Sequence, residues 1–239
     1  MTINPLIVLI PLLSIIIGVV PIIIFRPNTL IIIISAVAYF LAIGAKAIIQ
    51  SFSLNFILSS PIYIQAIFFG SLTAIFEPGF AFLFPLLSQS RLKEYNKKMA
   101  LSYGAMLAFW ENAVLVGISG LLETVSLLYL QSYNATLVQK IIQAQPYLVY
   151  PTPQLLPLIG FGALERVSSF LAHTAWGSLG YYYLFRRSKS LLLIALLGYI
   201  DALAPLIQHN VIPLSLGEIL IFVISLIGFL LAYKTLPGK

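Results

Sequence analysis

The chain has 239 residues, 60% hydrophobic and 8% charged, with no cysteine and a formal net charge of +6. That balance excludes a water-soluble globular domain and reads as an integral membrane protein. Disulfides, thiolate nucleophiles and Cys-ligated metals are excluded as well. The basic residues gather in short loops, as topology determinants do, rather than in a nucleic-acid-binding patch.

Apolar runs of about 20 residues predict seven transmembrane helices in a single all-α domain covering residues 1–239. The first run, Pro5–Phe25, lacks a basic n-region and a clear small-residue cleavage site, so it reads as a retained anchor. Leu30–Ile49 is the second, Ile62–Leu87 the third and Met99–Leu130 the fourth. Next comes the longest soluble piece, residues 131–153, expected as an extracytoplasmic loop that is either an interfacial amphipathic helix or a plain loop. Gln154–Phe185 is the fifth run, Leu191–Ile207 the sixth and Ile212–Tyr233 the seventh. The third, fourth and fifth exceed the bilayer's requirement and are expected to tilt, kink or project, whereas the sixth is short enough for an incomplete span.

Lys and Arg set the expected orientation. One set of alternate loops holds Arg26, Arg91, Lys93, Lys97, Lys98, Arg186, Arg187 and Lys189, and the tail adds Lys234 and Lys239. The opposite side keeps Lys140 and, at the end of the second run, Lys46. The positive-inside rule then puts the N-terminus outside and the C-terminus in the cytoplasm of a multi-pass cell-membrane protein surrounded by lipid. The triplet Asn134-Ala135-Thr136 falls in a predicted outer loop, as a glycosylation acceptor would.

Four residues disfavoured by a bilayer interrupt the apolar runs: Glu77, Glu111, His173 and Asp201. Each lies about ten to thirteen positions from a flank that carries Lys or Arg, which is roughly 15–20 Å below one face at about 1.5 Å per residue. A charge at mid-bilayer costs about 2.5–3.5 kcal/mol on insertion scales. Any one of them could be satisfied by a cross-helix hydrogen bond, but four at one depth point to a shared site in a core of four helices within residues 62–207. Each also shares a helix face with small residues: Gly70, Thr73, Ala74 and Ala81 with Glu77; Gly104 and Ala108 with Glu111; Ser169, Gly177 and Gly180 with His173; Gly198 with Asp201. Pro78 follows Glu77 directly, and the backbone donor it lacks predicts a kink beside the carboxylate.

A carboxylate beside an imidazole can take a proton from water and return it to a leaving amine. The same four side chains could instead hold a divalent metal such as zinc around a hydrolytic water. Glu123 and Arg166 both map near the outer boundary and are expected to form a structural ion pair. Glu165 is left ambiguous, and Glu218 reads as a bland residue at the outer start of the last span. No Gly-rich phosphate loop is present, so nothing points to nucleotide or nucleic acid.

Phe109-Trp110-Glu111-Asn112, then Glu165-Arg166 with His173 seven positions after the Arg, resemble motifs of the PrsW- and YhfC-like membrane proteins. These group with the CAAX prenyl endopeptidases as glutamic-type intramembrane proteases, and the likeness covers about residues 64–208. The resemblance implies a water-activating role for Glu77 and supporting or ligand roles for Glu111, His173 and Asp201. Asn112, Glu165 and Arg166 would then be site-supporting. Departures accompany it: Pro78 stands where many members have a second Glu, Phe82 replaces a following basic residue, and Leu197 replaces a His four before the final acidic position.

Three functions fit these residues. An intramembrane endopeptidase would cut membrane-embedded or lipidated peptides. An inactive, protease-like scaffold or chaperone would explain the missing motif positions. A proton- or ion-coupled carrier would use the intramembrane carboxylates as an ion path.

Overall fold

The computed structural model describes residues 2–92 and 94–238; Lys93 and Lys239, two of the basic residues used for orientation, lie outside the described residues. The described chain is all-helical. A short 3₁₀ turn, Pro5–Val8, leads into α1 (Leu9–Phe25), followed by α2 (Thr29–Ser59), α3 (Ile62–Leu87) and α4 (Lys97–Phe109). α4 continues through a π-helical segment, Trp110–Ile118, into α5 (Ser119–Leu130). Within the stretch 131–153 lies α6 (Ala135–Ala144), and α7 (Thr152–Arg186) follows. A 3₁₀ stretch, Lys189–Ala202, then runs into α8 (Leu203–Gln208), and α9 (Leu214–Thr235) completes the bundle. Among the described residues, seven helical runs are long and apolar enough to cross a membrane.

Local chemistry explains where the helices begin and end. Asn28, Asn96 and Asn134 each cap a helix start, accepting a hydrogen bond from the backbone N–H three residues on at 2.9, 3.2 and 3.0 Å. Arg26 and Arg187 take left-handed backbone conformations that stop α1 and α7. Two expected boundaries change. α2 continues to Ser59, ten residues past the predicted end at Ile49, so Lys46 sits inside a helix rather than at its rim. The sixth run is long enough to cross a membrane despite its few residues. Its 14 residues of 3₁₀ helix rise about 2.0 Å each, and the six of α8 about 1.5 Å each. Together they reach about 37 Å, against about 30 Å for the same run in α-helix.

The stretch 131–153 resolves to a helix rather than a plain loop. α6 turns Val138 and Ile142 inward onto Leu127, Leu155 and Ile159, with Ile3 and Ile7 from the N-terminus and Leu148 beside them. A larger core runs through α2, α3, α4, α7, the 3₁₀ stretch and α9, with Tyr103, Trp176 and Tyr181 among its largest buried side chains.

Two close helix contacts set the position of the polar residues. A Cβ on Gly177 would lie 2.5 Å from Gly104 Cα, so α4 and α7 touch backbone to backbone. A Cβ on Gly198 would lie 2.5 Å from Ala74 Cα, seating the 3₁₀ stretch directly on α3 one turn before Glu77. Small-residue contacts of this kind let helices approach without a side-chain spacer.

Candidate functional site

Glu77, Glu111 and His173 come from three different elements and converge in the middle of the bundle. α3 carries Glu77, the π segment Glu111 and α7 His173. His173 Nε2 lies 3.1 Å from Glu77 Oε2 and 3.1 Å from Glu111 Oε2. Neither approach is aligned as a hydrogen bond, so the nitrogen sits between the two oxygens rather than bonded to one. The other ring nitrogen, Nδ1, is 3.0 Å from the Ser169 carbonyl. A carbonyl only accepts, so Nδ1 carries a proton, and Nε2 is the nitrogen that faces the two carboxylates.

Such an arrangement is repulsive unless a cation or a proton occupies it. The ligand atoms of Glu77, Glu111 and His173 all lie within 4.8 Å of one another. Two ligands bound at about 2.0–2.1 Å in a tetrahedral shell are about 3.3 Å apart, close to the separations here. An oxygen-and-imidazole set with Nδ1 tied to a backbone carbonyl therefore fits a divalent ion such as zinc.

Asp201, the fourth predicted residue, stands beside this trio and not within it. Its Oδ2 accepts a hydrogen bond from Thr73 Oγ1 and lies 3.5 Å from Lys46 Nζ. Lys46 in turn forms an ion pair with Glu77 Oε1 and donates to Thr73 Oγ1 at 2.7 Å. Glu77 thus bridges two partners: one oxygen faces Lys46, the other His173.

The site-supporting residues form a second brace. Arg166 Nη1 donates to Glu111 Oε1 at 3.1 Å and to Asn112 Oδ1 at 3.3 Å, while Nη2 pairs with Glu165. Asn112 Nδ2 returns a hydrogen bond to the Arg166 carbonyl at 2.9 Å. That reciprocal pair fastens the π segment to α7, and π segments recur at functional sites because they re-aim side chains from the helical register. Asn112 is fully buried, so its two bonds satisfy groups that water cannot reach.

Lys46, Glu77, Glu111, Glu165, Arg166, His173 and Asp201 line a cavity of about 380 Å³ together with Tyr39, Ser169, Trp176 and Gln208. Its volume is in the range of ligand pockets, about 300–1,000 Å³.

Several expectations change here. Arg166 pairs with Glu111 and Glu165, not with Glu123, because it points into the bundle; Glu123 lines a separate cavity of about 210 Å³ near the outer stretch. Glu218 is buried, with one carboxylate oxygen lacking a partner among the described residues, so it is not a bland surface group. Lys46 and Tyr39 are site residues that the sequence reading passed over. The available signal was their spacing: Tyr39, Ile43 and Lys46 recur at helical periodicity and all line the cavity. No protein-family model matches the chain, and no curated protein or solved structure matches it either.

Proposed function

We propose that this protein is an intramembrane endopeptidase that hydrolyses peptide bonds of membrane-embedded or lipidated substrates with water activated between Glu77 and His173. One observation carries the reading. Two carboxylates from different elements meet one imidazole nitrogen at 3.1 Å, inside a polar cavity in a bundle of membrane-length apolar helices. Ionisable groups at that depth are expensive, and function is the usual reason for keeping them. The Trp110-Glu111-Asn112 and Glu165-Arg166 motifs support membership among the PrsW- and YhfC-like proteases.

Hydrolysis follows from the chain's own groups. Glu77 Oε2 accepts a proton from water as the water oxygen bonds to the scissile carbonyl carbon, and the same proton passes to the amine as the carbon–nitrogen bond breaks. Lys46 holds the other Glu77 oxygen, leaving Oε2 to work. Glu111, anchored by Arg166, and His173, anchored by the Ser169 carbonyl, orient the water. A divalent ion held by Glu77, Glu111 and His173 would add Lewis-acid polarisation and make the water more acidic. The basic loops support a cell-membrane orientation with the N-terminus outside and the C-terminus cytoplasmic.

A second reading, a proton- or ion-coupled carrier, is favoured by Lys46 lying between Glu77 and Asp201. The two separate experimentally. Membrane-protein N-termini are compared in cells expressing wild type or Glu77→Gln at matched, folded levels. Cleavage products present only with wild type are expected. Identical N-termini would overturn the protease, and substrate-dependent flux into liposomes lost in Glu77→Gln would establish the carrier.

A further inference from the structure

Three residues that line the cavity each carry a buried polar atom without a hydrogen-bond partner among the described residues: His173 Nε2, Tyr39 Oη and Trp176 Nε1. The first lies beside the two carboxylates. The other two are donors. Tyr39 is 2% exposed and Trp176 1% exposed, so water outside the cavity does not serve them. Both rings stand edge-on to the His173 ring, with centroids 6.0 Å and 4.5 Å away. They reach it from different helices, Tyr39 from α2 and Trp176 from α7.

Unpartnered buried donors are costly, and a phenylalanine at position 39 would fill the same space without that cost. Acceptors cluster on the Glu77–Glu111 side, and the two rings that carry unpartnered donors flank the imidazole. A hydrolysed amide needs that division: a base for the water and donors for the oxygen on which negative charge develops. We propose that Tyr39 is a catalytic residue, its hydroxyl donating to the scissile carbonyl oxygen with Trp176 Nε1 as a second donor. The inference rests on the protease reading above. As the water oxygen bonds to the carbonyl carbon, the π electrons move to the carbonyl oxygen and the water's proton goes to Glu77. Tyr39 keeps its proton and shares it in a hydrogen bond with that oxyanion. Collapse restores the carbonyl, expels the amine and transfers the proton from Glu77 to nitrogen.

The test compares wild type, Tyr39→Phe and Glu77→Gln in liposomes. The substrate is a fluorogenic peptide spanning the junction found in the N-terminus comparison, and thermal unfolding is followed in parallel. Loss of one oxyanion donor lowers kcat by about 10²–10³-fold. Tyr39→Phe is therefore expected to show that drop with KM unchanged and with a melting temperature equal to or above wild type. Wild-type kcat in Tyr39→Phe, with Glu77→Gln inert, would overturn the inference and leave the protease standing. A lowered melting temperature would show that the hydroxyl is a structural bond and would also overturn it. If wild type itself cleaves nothing, the protease reading falls and Tyr39's role falls with it.

Discussion

Lys46 is the residue on which the chemistry of Glu77 turns. Its side chain is 13% exposed and that of Glu77 7%, so the pair exchanges little with solvent or lipid headgroups. Removing one partner of a buried ion pair leaves a naked charge and costs about 3–5 kcal/mol, whereas removing both can be nearly neutral. Lys46→Met should therefore destabilise the protein by about that amount, and Lys46→Met with Glu77→Gln should recover most of it. Chemical unfolding in detergent micelles measures both, and simply additive losses would show that the two side chains are not coupled. Glu77, Glu111 and His173 were legible in the sequence because a charge or imidazole stands out within an apolar run. Lys46 was not, because ending the second helix at Ile49 put it at the rim, where a snorkelling lysine is ordinary. Tyr39 was harder to read for another reason: tyrosine is unremarkable in an apolar run, and its spacing from Lys46 signals a site only once Lys46 is known to face inward. Phe82, where the resemblance implies a basic residue, packs against Tyr183 with ring centroids 5.5 Å apart, and the cation beside Glu77 comes from α2 instead.

At the scale of elements, the site depends on how closely helices approach. The Glu111-to-His173 distance is held by the α4–α7 contact at Gly104 and Gly177 and by the Asn112–Arg166 brace. A methyl at Gly177 would strike backbone, which cannot swing aside as a side chain can. Gly177→Ala should then cost about 1–3 kcal/mol as overpacking does, and should abolish cleavage by separating Glu111 from His173. Gly79 supplies the control. It lies on the same helix as Glu77, is exposed, and an added Cβ meets nothing within 4 Å. Gly79→Ala should be neutral or stabilise by about 0.5–1 kcal/mol, since alanine is the better helix former. Equal effects of the two substitutions on unfolding and cleavage would refute the close-contact argument. The small-residue faces were readable from spacing, but the π segment was not. Trp110–Ile118 carries ordinary helix-compatible residues, and its register change is enforced by a partner on α7 some 54 positions away, Asn112 to the Arg166 carbonyl. Likewise, the 3₁₀ winding of Lys189–Ala202 reflects packing on α3 rather than any local propensity.

For the molecule as a whole, the question is how seven apolar helices tolerate so much charge at one level. Four carboxylates line the cavity (Glu77, Glu111, Glu165 and Asp201) against two cations, Lys46 and Arg166, so four minus two leaves a formal charge of −2 with His173 neutral. Interior charge is stable only when it is paired, and one divalent ion would bring that sum to zero. The trio of Glu77, Glu111 and His173 joins α3, the π segment and α7, so an ion held there would cross-link elements that the unfolded chain does not bring together. Ligands that bind only the folded state stabilise it by mass action, about 2.7 kcal/mol at a hundred times Kd. Purified protein stripped with a chelator should therefore melt at a lower temperature, and micromolar zinc should restore the difference. Glu111→Gln should melt at the same temperature with zinc or chelator, because it removes one ligand of three while leaving Lys46 on Glu77. Asp201→Asn should keep the response, because Asp201 faces Thr73 and Lys46 instead. A wild-type melting temperature indifferent to both chelator and zinc would leave a proton on His173 as the added positive charge, bringing the sum to −1, and the hydrolytic water would then be activated by Glu77 alone.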